Sequence, residues 1–333
     1  DVLPPPPPQP PMYGDRFAVG SDNGMAATVT MFNPDGTVRF TVQPFGASYT
    51  TGVKVATGDV TGDGVADVVV GTAGDIAGVA RIIDGATGKL RTGSVFSSSS
   101  YTGVVEVAVG DVTGDGVADI AVVTNEGGPR ARVYRGGDFA RLVDFRPVSG
   151  DGTYQGRPRV ALADVNADGL ADLVVSARYS TGTHVAGYSG ATIRSGRTPS
   201  RAFSQFVLTG TGFGEGANLA AGDLNGDGYA DLVFGSGWGA SRVLALSGQD
   251  LVRSGVRTTL VDFAPAGSGY ENGVRVAVRD LDGDGRDDLL LGSGSGSGGR
   301  VTGYLGKDLT TTGLPMALDF TVYAGYTGGL YVG

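Results

Sequence analysis

Five stretches of the chain place aspartates at a spacing suited to a hard cation: Asp59-Val-Thr-Gly-Asp-Gly-Val-Ala-Asp67, Asp111 to Asp119, Asp164-Val-Asn-Ala-Asp-Gly-Leu-Ala-Asp172, Asp223 to Asp231, and Asp280-Leu-Asp-Gly-Asp-Gly-Arg-Asp-Asp288. Positions 1, 3, 5 and 9 offer side-chain oxygens and position 7 a main-chain carbonyl. Oxygen ligands in that number suit calcium; magnesium retains more water, and zinc wants histidine or cysteine. The expected ligands are Asp59, Thr61, Asp63, Val65 and Asp67 in the first loop, and Asp111, Thr113, Asp115, Val117 and Asp119 in the second. In the third they are Asp164, Asn166, Asp168, Leu170 and Asp172, and in the fourth Asp223, Asn225, Asp227, Tyr229 and Asp231. The fifth adds Asp280, Asp282, Asp284, Arg286 and Asp288, with the position 7 residue always acting through its carbonyl.

Glycine at position 6 permits the sharp turn such a loop requires. A helical calcium loop is excluded, because position 12 is an apolar residue, Val70 in the first loop, where glutamate would be needed. A single copy reads equally as a solvated Asp/Gly turn, but sixteen of the chain's thirty aspartates fall on ligand positions in register. Like charges about 4 Å apart repel by roughly 1 kcal/mol even in water. With no lysine inside these motifs, a counter-ion is expected. About five Ca2+ ions, one per loop, would bring the formal charge from −9 to about +1. Neutral Thr61 and Thr113 predict weaker binding in the first two loops than in the fifth, where Asp282 stands.

Other chemistry is sparse. The chain has no cysteine, so disulfides, thiolate metal sites and a cysteine nucleophile are absent. His184 is the one histidine, and with Arg178 and Tyr179 it is a candidate ligand-binding group in a loop between strands. The same residues would suit a lyase that abstracts and returns a proton beside a sugar carboxylate. Trp238, flanked by glycines, is a candidate exposed aromatic. The acidic balance excludes a basic nucleic-acid surface, and no apolar run is long enough for a membrane-spanning helix.

The elements that must position these loops follow from their period. The first aspartates lie 52, 53, 59 and 57 residues apart, the length of a four-stranded propeller blade. Short β-branched segments such as Val53-Lys-Val-Ala and Asp67-Val-Val-Val bracket each loop, and Gly78 to Ile83 and Leu90 to Phe96 read as third and fourth strands. Two markers recur six times. Phe45, Phe96, Phe145, Phe206, Phe263 and Phe320 close the fourth strands, and Tyr49, Tyr101, Tyr154, Phe213, Tyr270 and Tyr326 follow ahead of a glycine. Those aromatics either wedge between blades or stack on sugar faces. The expected fold is all-β, a six-bladed propeller over residues 16–333, preceded by a proline-rich linker or stalk over 1–15. The first copy lacks its first strand, which Gly329-Leu-Tyr-Val-Gly333 is expected to supply, closing the ring and leaving no open edge.

The acidic loops, Phe213-Gly214 and Phe234-Gly-Ser-Gly-Trp-Gly-Ala240 resemble FG-GAP/VCBS repeats, as in integrin α-chain propellers and, more closely, bacterial surface and secreted proteins. The resemblance implies calcium between first and second strands, on the face opposite most ligand-binding loops. It implies a secreted or cell-surface binding or adhesion module for a glycan or extracellular protein, a monomeric propeller tethered to a larger protein or surface. The alternatives are a propeller-type polysaccharide lyase and a purely structural surface scaffold.

Overall fold

The computed structural model describes residues 14–333 apart from 151, 211, 266–269, 271, 297 and 310–313. Residues 1–13, most of the expected proline-rich stalk, lie outside the described residues. Six four-stranded antiparallel sheets form six blades. The first blade holds β1 (Phe17–Ser21), β2 (Val29–Phe32) and β3 (Val38–Val42). Blade two holds β4 (Val53–Gly58), β5 (Asp67–Thr72), β6 (Gly78–Ile83) and β7 (Phe96–Ser98). Blade three follows with β8 (Glu106–Gly110), β9 (Asp119–Asn125), β10 (Pro129–Tyr134) and β11 (Arg141–Phe145). In blade four the strands are β12 (Tyr154–Ala163), β13 (Asp172–Tyr179), β14 (Gly182–Tyr188) and β15 (Arg201–Leu208). Blade five has β16 (Ala217–Gly222), β17 (Asp231–Ser236), β18 (Val243–Leu246) and β19 (Thr259–Phe263), and blade six has β20 (Val274–Arg279), β21 (Asp288–Ser293), β22 (Arg300–Tyr304) and β23 (Leu318–Thr321).

The last strand, β24 (Leu330–Val332), pairs antiparallel with β1, Val19 opposite Val332 and Ser21 opposite Leu330. The ring therefore closes as the sequence predicts, and the C-terminal strand stands where every other blade has its first. The innermost strands β24, β4, β8, β12, β16 and β20 pack against one another in turn around a central axis. The fourth strand of blade two begins at Phe96, where the sequence places its end; the preceding stretch contributes only an isolated bridge, Ile83 to Leu90.

Hydrophobic clusters sit where blades meet. One combines Phe17 and Val19 of the first blade with Leu290 and Val301 of the sixth, and includes Leu330 and Val332 of the closing strand. The recurring aromatics belong to this packing. Tyr270 and Phe213 are fully buried, and the Tyr49 hydroxyl donates to the Gly74 carbonyl at 3.0 Å. Wedging, the plainer of the two readings, accounts for them. Among the described residues, helical turns are confined to connections between third and fourth strands: α1 (Gly190–Arg194), α2 (Gly248–Ser254) and a single 3-10 turn at Gly306–Asp308.

Candidate metal loops and the opposite axial mouth

The acidic loops join first to second strands, and all five share one internal frame. The position 1 carboxylate gathers the loop's amides: Asp59 accepts from Gly62 and Gly64 at 2.7 Å each, and Asp223 from Gly226 at 2.7 Å and Gly228 at 2.8 Å. Position 6 takes φ between +80° and +85° in every loop, as its glycine foretells. The third loop also places Ala167 at φ +59° in position 4, where the other four have glycine.

Position 9 is the keystone. Asp67, Asp119, Asp172, Asp231 and Asp288 are buried, and each accepts from the position 2 amide and from a glycine amide just past the third strand. Those glycines, such as Gly85 and Gly248, lie so close to the carbonyl preceding the aspartate that a Cβ would collide with it. Burial raises all five carboxyls above the usual range, Asp172 and Asp231 to about 7 and Asp288 to about 6. The hydrogen bonds these carboxylates accept therefore fall short of replacing the water each lost.

The remaining donor set fits a hard cation. Thr61 Oγ1 is buried beside the Asp67 carboxylate. Thr113 Oγ1 stands 3.5 Å from carboxylate oxygens of both Asp111 and Asp119. In the fifth loop Asp280, Asp282 and Asp288 bring carboxylate oxygens within 4.8 Å of one another. In the third loop the Asn166 amide nitrogen faces Asp172 at 3.3 Å. Lysine is also closer than the sequence suggests. Lys307, 25 residues beyond Asp282, sets its ammonium on the Asp282 carboxylate and 3.8 Å from Asp284. The loop expected to bind more tightly than the first two thus carries its own competing cation.

The acidic loops cluster at one end of the axial channel, where the mouth is lined by Asp15, Arg16, Asp59, Asp164, Asp223, Arg279 and Asp287 around about 600 Å³. Five carboxylates against two guanidinium groups leave a formal −3 there. The channel narrows to about 110 Å³ between the inner strands. It opens at the far end into about 500 Å³ lined by Trp238, Arg157, Asn125, Asn272 and a ring of inner-strand side chains.

That ring takes one residue from each blade: Lys54, Glu106, Arg159, Asn218, Arg275 and Tyr331. Glu106 Oε1 bridges Lys54 Nζ at 3.1 Å and Arg159 Nη1 at 3.0 Å. Arg159 Nε donates to Asn218 Oδ1 at 3.0 Å, and the Asn218 amide passes on to the Val274 carbonyl at 2.7 Å. Arg275 pairs with Asp22 at 2.6 Å, and Lys54 Nζ lies 3.5 Å from the Tyr331 ring centre. With Arg157, four cations face two carboxylates, a formal +2 on a protein of −9.

The sequence reading missed this ring, although its signal was present. The residue five places before each loop's first aspartate is Lys54, Glu106, Arg159, Asn218 and Arg275, a polar side chain inside an otherwise apolar strand. Tyr331 is the equivalent in the closing strand.

The four candidate ligand residues separate in the structure. Trp238, between β17 and β18, is 59% exposed on this far mouth. Arg178 is paired with Glu215 at 2.6 Å, its Nε buried without a hydrogen-bond partner among the described residues. His184 and Tyr179 lie in strands β14 and β13, not in the expected loop, because their rings pack inside blade four with centres 4.7 Å apart. His184 is 3% exposed, with Thr181 Oγ1 2.8 Å from Nε2 and Gln205 Nε2 3.2 Å from Nδ1.

The model of the FG-GAP-like repeat family matches residues 111–175 and 223–291, covering acidic loops two, three, four and five. Among solved structures, the chain is similar to an Agrocybe aegerita lectin whose structure addresses recognition of non-reducing terminal N-acetylglucosamine. Identity there is 17%, over 94% of this chain and 77% of that one, with a TM-score of 0.48. It is also similar to a Bacillus licheniformis rhamnogalacturonan lyase, 13% identical over 97% of this chain and 69% of that one, with a TM-score of 0.47. No curated protein sequence matches.

Proposed function

We propose that this FG-GAP repeat propeller is a calcium-stabilised extracellular binding module that recognises a glycan or protein through the face opposite its acidic loops. The observation that carries the reading is the division of the axial channel: oxygen ligands gather at one end, while the exposed indole and the blade-specific side chains gather at the other. Residues at positions 1, 3, 5, 7 and 9 of the five loops would hold the ions. Bound calcium would supply positive charge to buried carboxylates and tie first strand, loop and second strand together. Extracellular placement follows from supply, since millimolar calcium fills sites of modest affinity. Among the described residues no helix is long and apolar enough to cross a membrane.

Two measurements test this reading. At free calcium a hundredfold above the dissociation constant, each site adds about 2.7 kcal/mol, so chelation should lower the melting temperature sharply. An unchanged melting curve in excess chelator removes the calcium assignment. A glycan and protein-ligand array, probed with calcium present, should give binding that Trp238→Ala reduces without moving the melting temperature. Loss of stability in that variant would make the indole a packing residue and remove the binding face's main support. The lyase alternative draws no support from His184, whose ring is buried and engaged within blade four.

A further inference from the structure

Blade four breaks the six-fold pattern at the far mouth. Its inner strand, β12, begins at Tyr154 and runs ten residues, whereas the other inner strands have three to six. The extension pairs with β13 through register shifts on both sides of Gly156. Bulges of this kind re-aim side chains and recur beside functional sites. Here the bulge sets Arg157 at φ +54°, a conformation that non-glycine residues rarely adopt. Its side chain lies over Gly216, where a Cβ would come within 3.2 Å of Arg157 Cδ. The backbone of two blades is thus shaped around one guanidinium.

That guanidinium is unspent. Lys54 and Arg159 share Glu106, Arg275 holds Asp22, and Arg178 occupies Glu215. The Arg157 side chain makes no ion pair or hydrogen bond among the described residues, although burial first, and then Arg159 and Arg178 close by, disfavour its charge. The side-chain carboxamide of Asn125, on the same mouth, likewise makes no hydrogen bond among the described residues, although its backbone amide donates to the Tyr101 hydroxyl. Trp238 supplies an exposed flat apolar wall, with Gly237 and Gly239 beside it. A cavity of about 500 Å³ falls within the range of small-molecule sites, about 300–1,000 Å³. Such a site offers a planar bidentate donor for a carboxylate, an amide for hydroxyls and an indole for the C–H face of a sugar ring.

We infer that the axial mouth binds a carboxylate-bearing sugar residue, a uronate, with Arg157 as the group that reads its carboxylate. This rests on the far face being the recognition surface and names the chemistry it selects.

Trp238 is the chain's single tryptophan, so its fluorescence reports on this mouth alone. The probes are galacturonate, galactose, inorganic phosphate and N-acetylglycine, titrated into the calcium-loaded protein. Galacturonate should give a saturable change, and the other three should bind at least tenfold more weakly. Arg157→Gly, which relieves the positive φ, should weaken galacturonate at least tenfold while the melting temperature holds or rises, and Arg157→Lys should fall between. Three results overturn the inference: no saturation by galacturonate, galactose binding as tightly, or Arg157→Gly binding as the parent does. Preference for phosphate or N-acetylglycine overturns the sugar assignment. Array binding to neutral glycans that Trp238→Ala abolishes and Arg157→Gly spares would sink this inference and leave the proposed function standing.

Discussion

The two mouths of the axial channel are built from the same six inner strands, yet they solve opposite electrostatic problems. At the acidic-loop end the carboxylates repeat five times in register, each answered by the same backbone amides. At the far end, equivalent strand positions carry lysine, glutamate, arginine, asparagine, arginine and tyrosine, and they answer one another across blades. Repetition at one end means each loop can be completed locally. Variation at the other means that the charged inner side chains find their ion-pair partners in neighbouring blades, so the ring must close before the network exists. A repeating scaffold separates what must be uniform for stability from what must differ for recognition.

The sharpest way to break this comparison is to remove the residue that holds the far mouth together. Glu106→Ala leaves Lys54 and Arg159 facing one another in a site where Lys54 and Glu106 side chains are 6% and 9% exposed. Removing one partner of a buried pair costs about 3–5 kcal/mol, and urea unfolding should show that loss. A loss below about 1 kcal/mol would mean that water already screens the network as it does on an open surface.

A smaller effect distinguishes the acidic end. Burial raises Asp172 and Asp231 to about 7 and Asp288 to about 6, against about 3.9 in the unfolded chain. A raised folded value means the native state binds these protons more tightly, so the associated stability is complete below about 3.9 and is lost as pH rises through 6 to 7. In chelator, the melting temperature should therefore climb as pH falls from about 8 to about 5. With calcium present the slope should reverse, because the ion requires ionised carboxylates and protons compete with it. Parallel slopes in the two conditions would show that the position 9 carboxyls act independently of any ion.

The mildest prediction concerns the one loop that departs from its siblings. Ala167 holds φ +59° where the others have glycine, and Ala167→Gly should raise stability by about 0.5–1 kcal/mol in the metal-free protein. Differential scanning calorimetry would measure it. A decrease would mean that the glycine's extra freedom in the unfolded chain outweighs the relieved strain.

Much of the architecture was legible because it is periodic. Five acidic motifs at blade-length spacing, six aromatic markers and a stranded strand sequence at Leu330 to Val332 were enough to count the blades and close the ring, since an unpaired edge is costly wherever it falls. Position 6 glycine foretold a left-handed backbone because only that residue adopts it freely. The position 9 aspartates were visible as candidate ligands, but not their second task of holding glycines 17 or 18 residues further on.

Other features depend on which blades become neighbours. Lys307 is far from Asp282 in sequence and touches it only because the exit of the third strand folds back over the acidic loop. From sequence His184 looks like a loop residue, since a lone polar residue among glycines and threonines gives no sign that two strands will enclose it. The far mouth was hidden most completely. A single polar residue in an apolar strand is ordinary in sequence, and only ring closure makes six of them converge. The sequence by itself determined the repeat, the turn chemistry and the acid inventory, because those rest on local backbone preference and side-chain type. The tertiary structure alone decided that Arg157 stands over Gly216 without a partner among the described residues while its neighbours are paired, because charge pairing is settled by distance across blades and not by position along the chain.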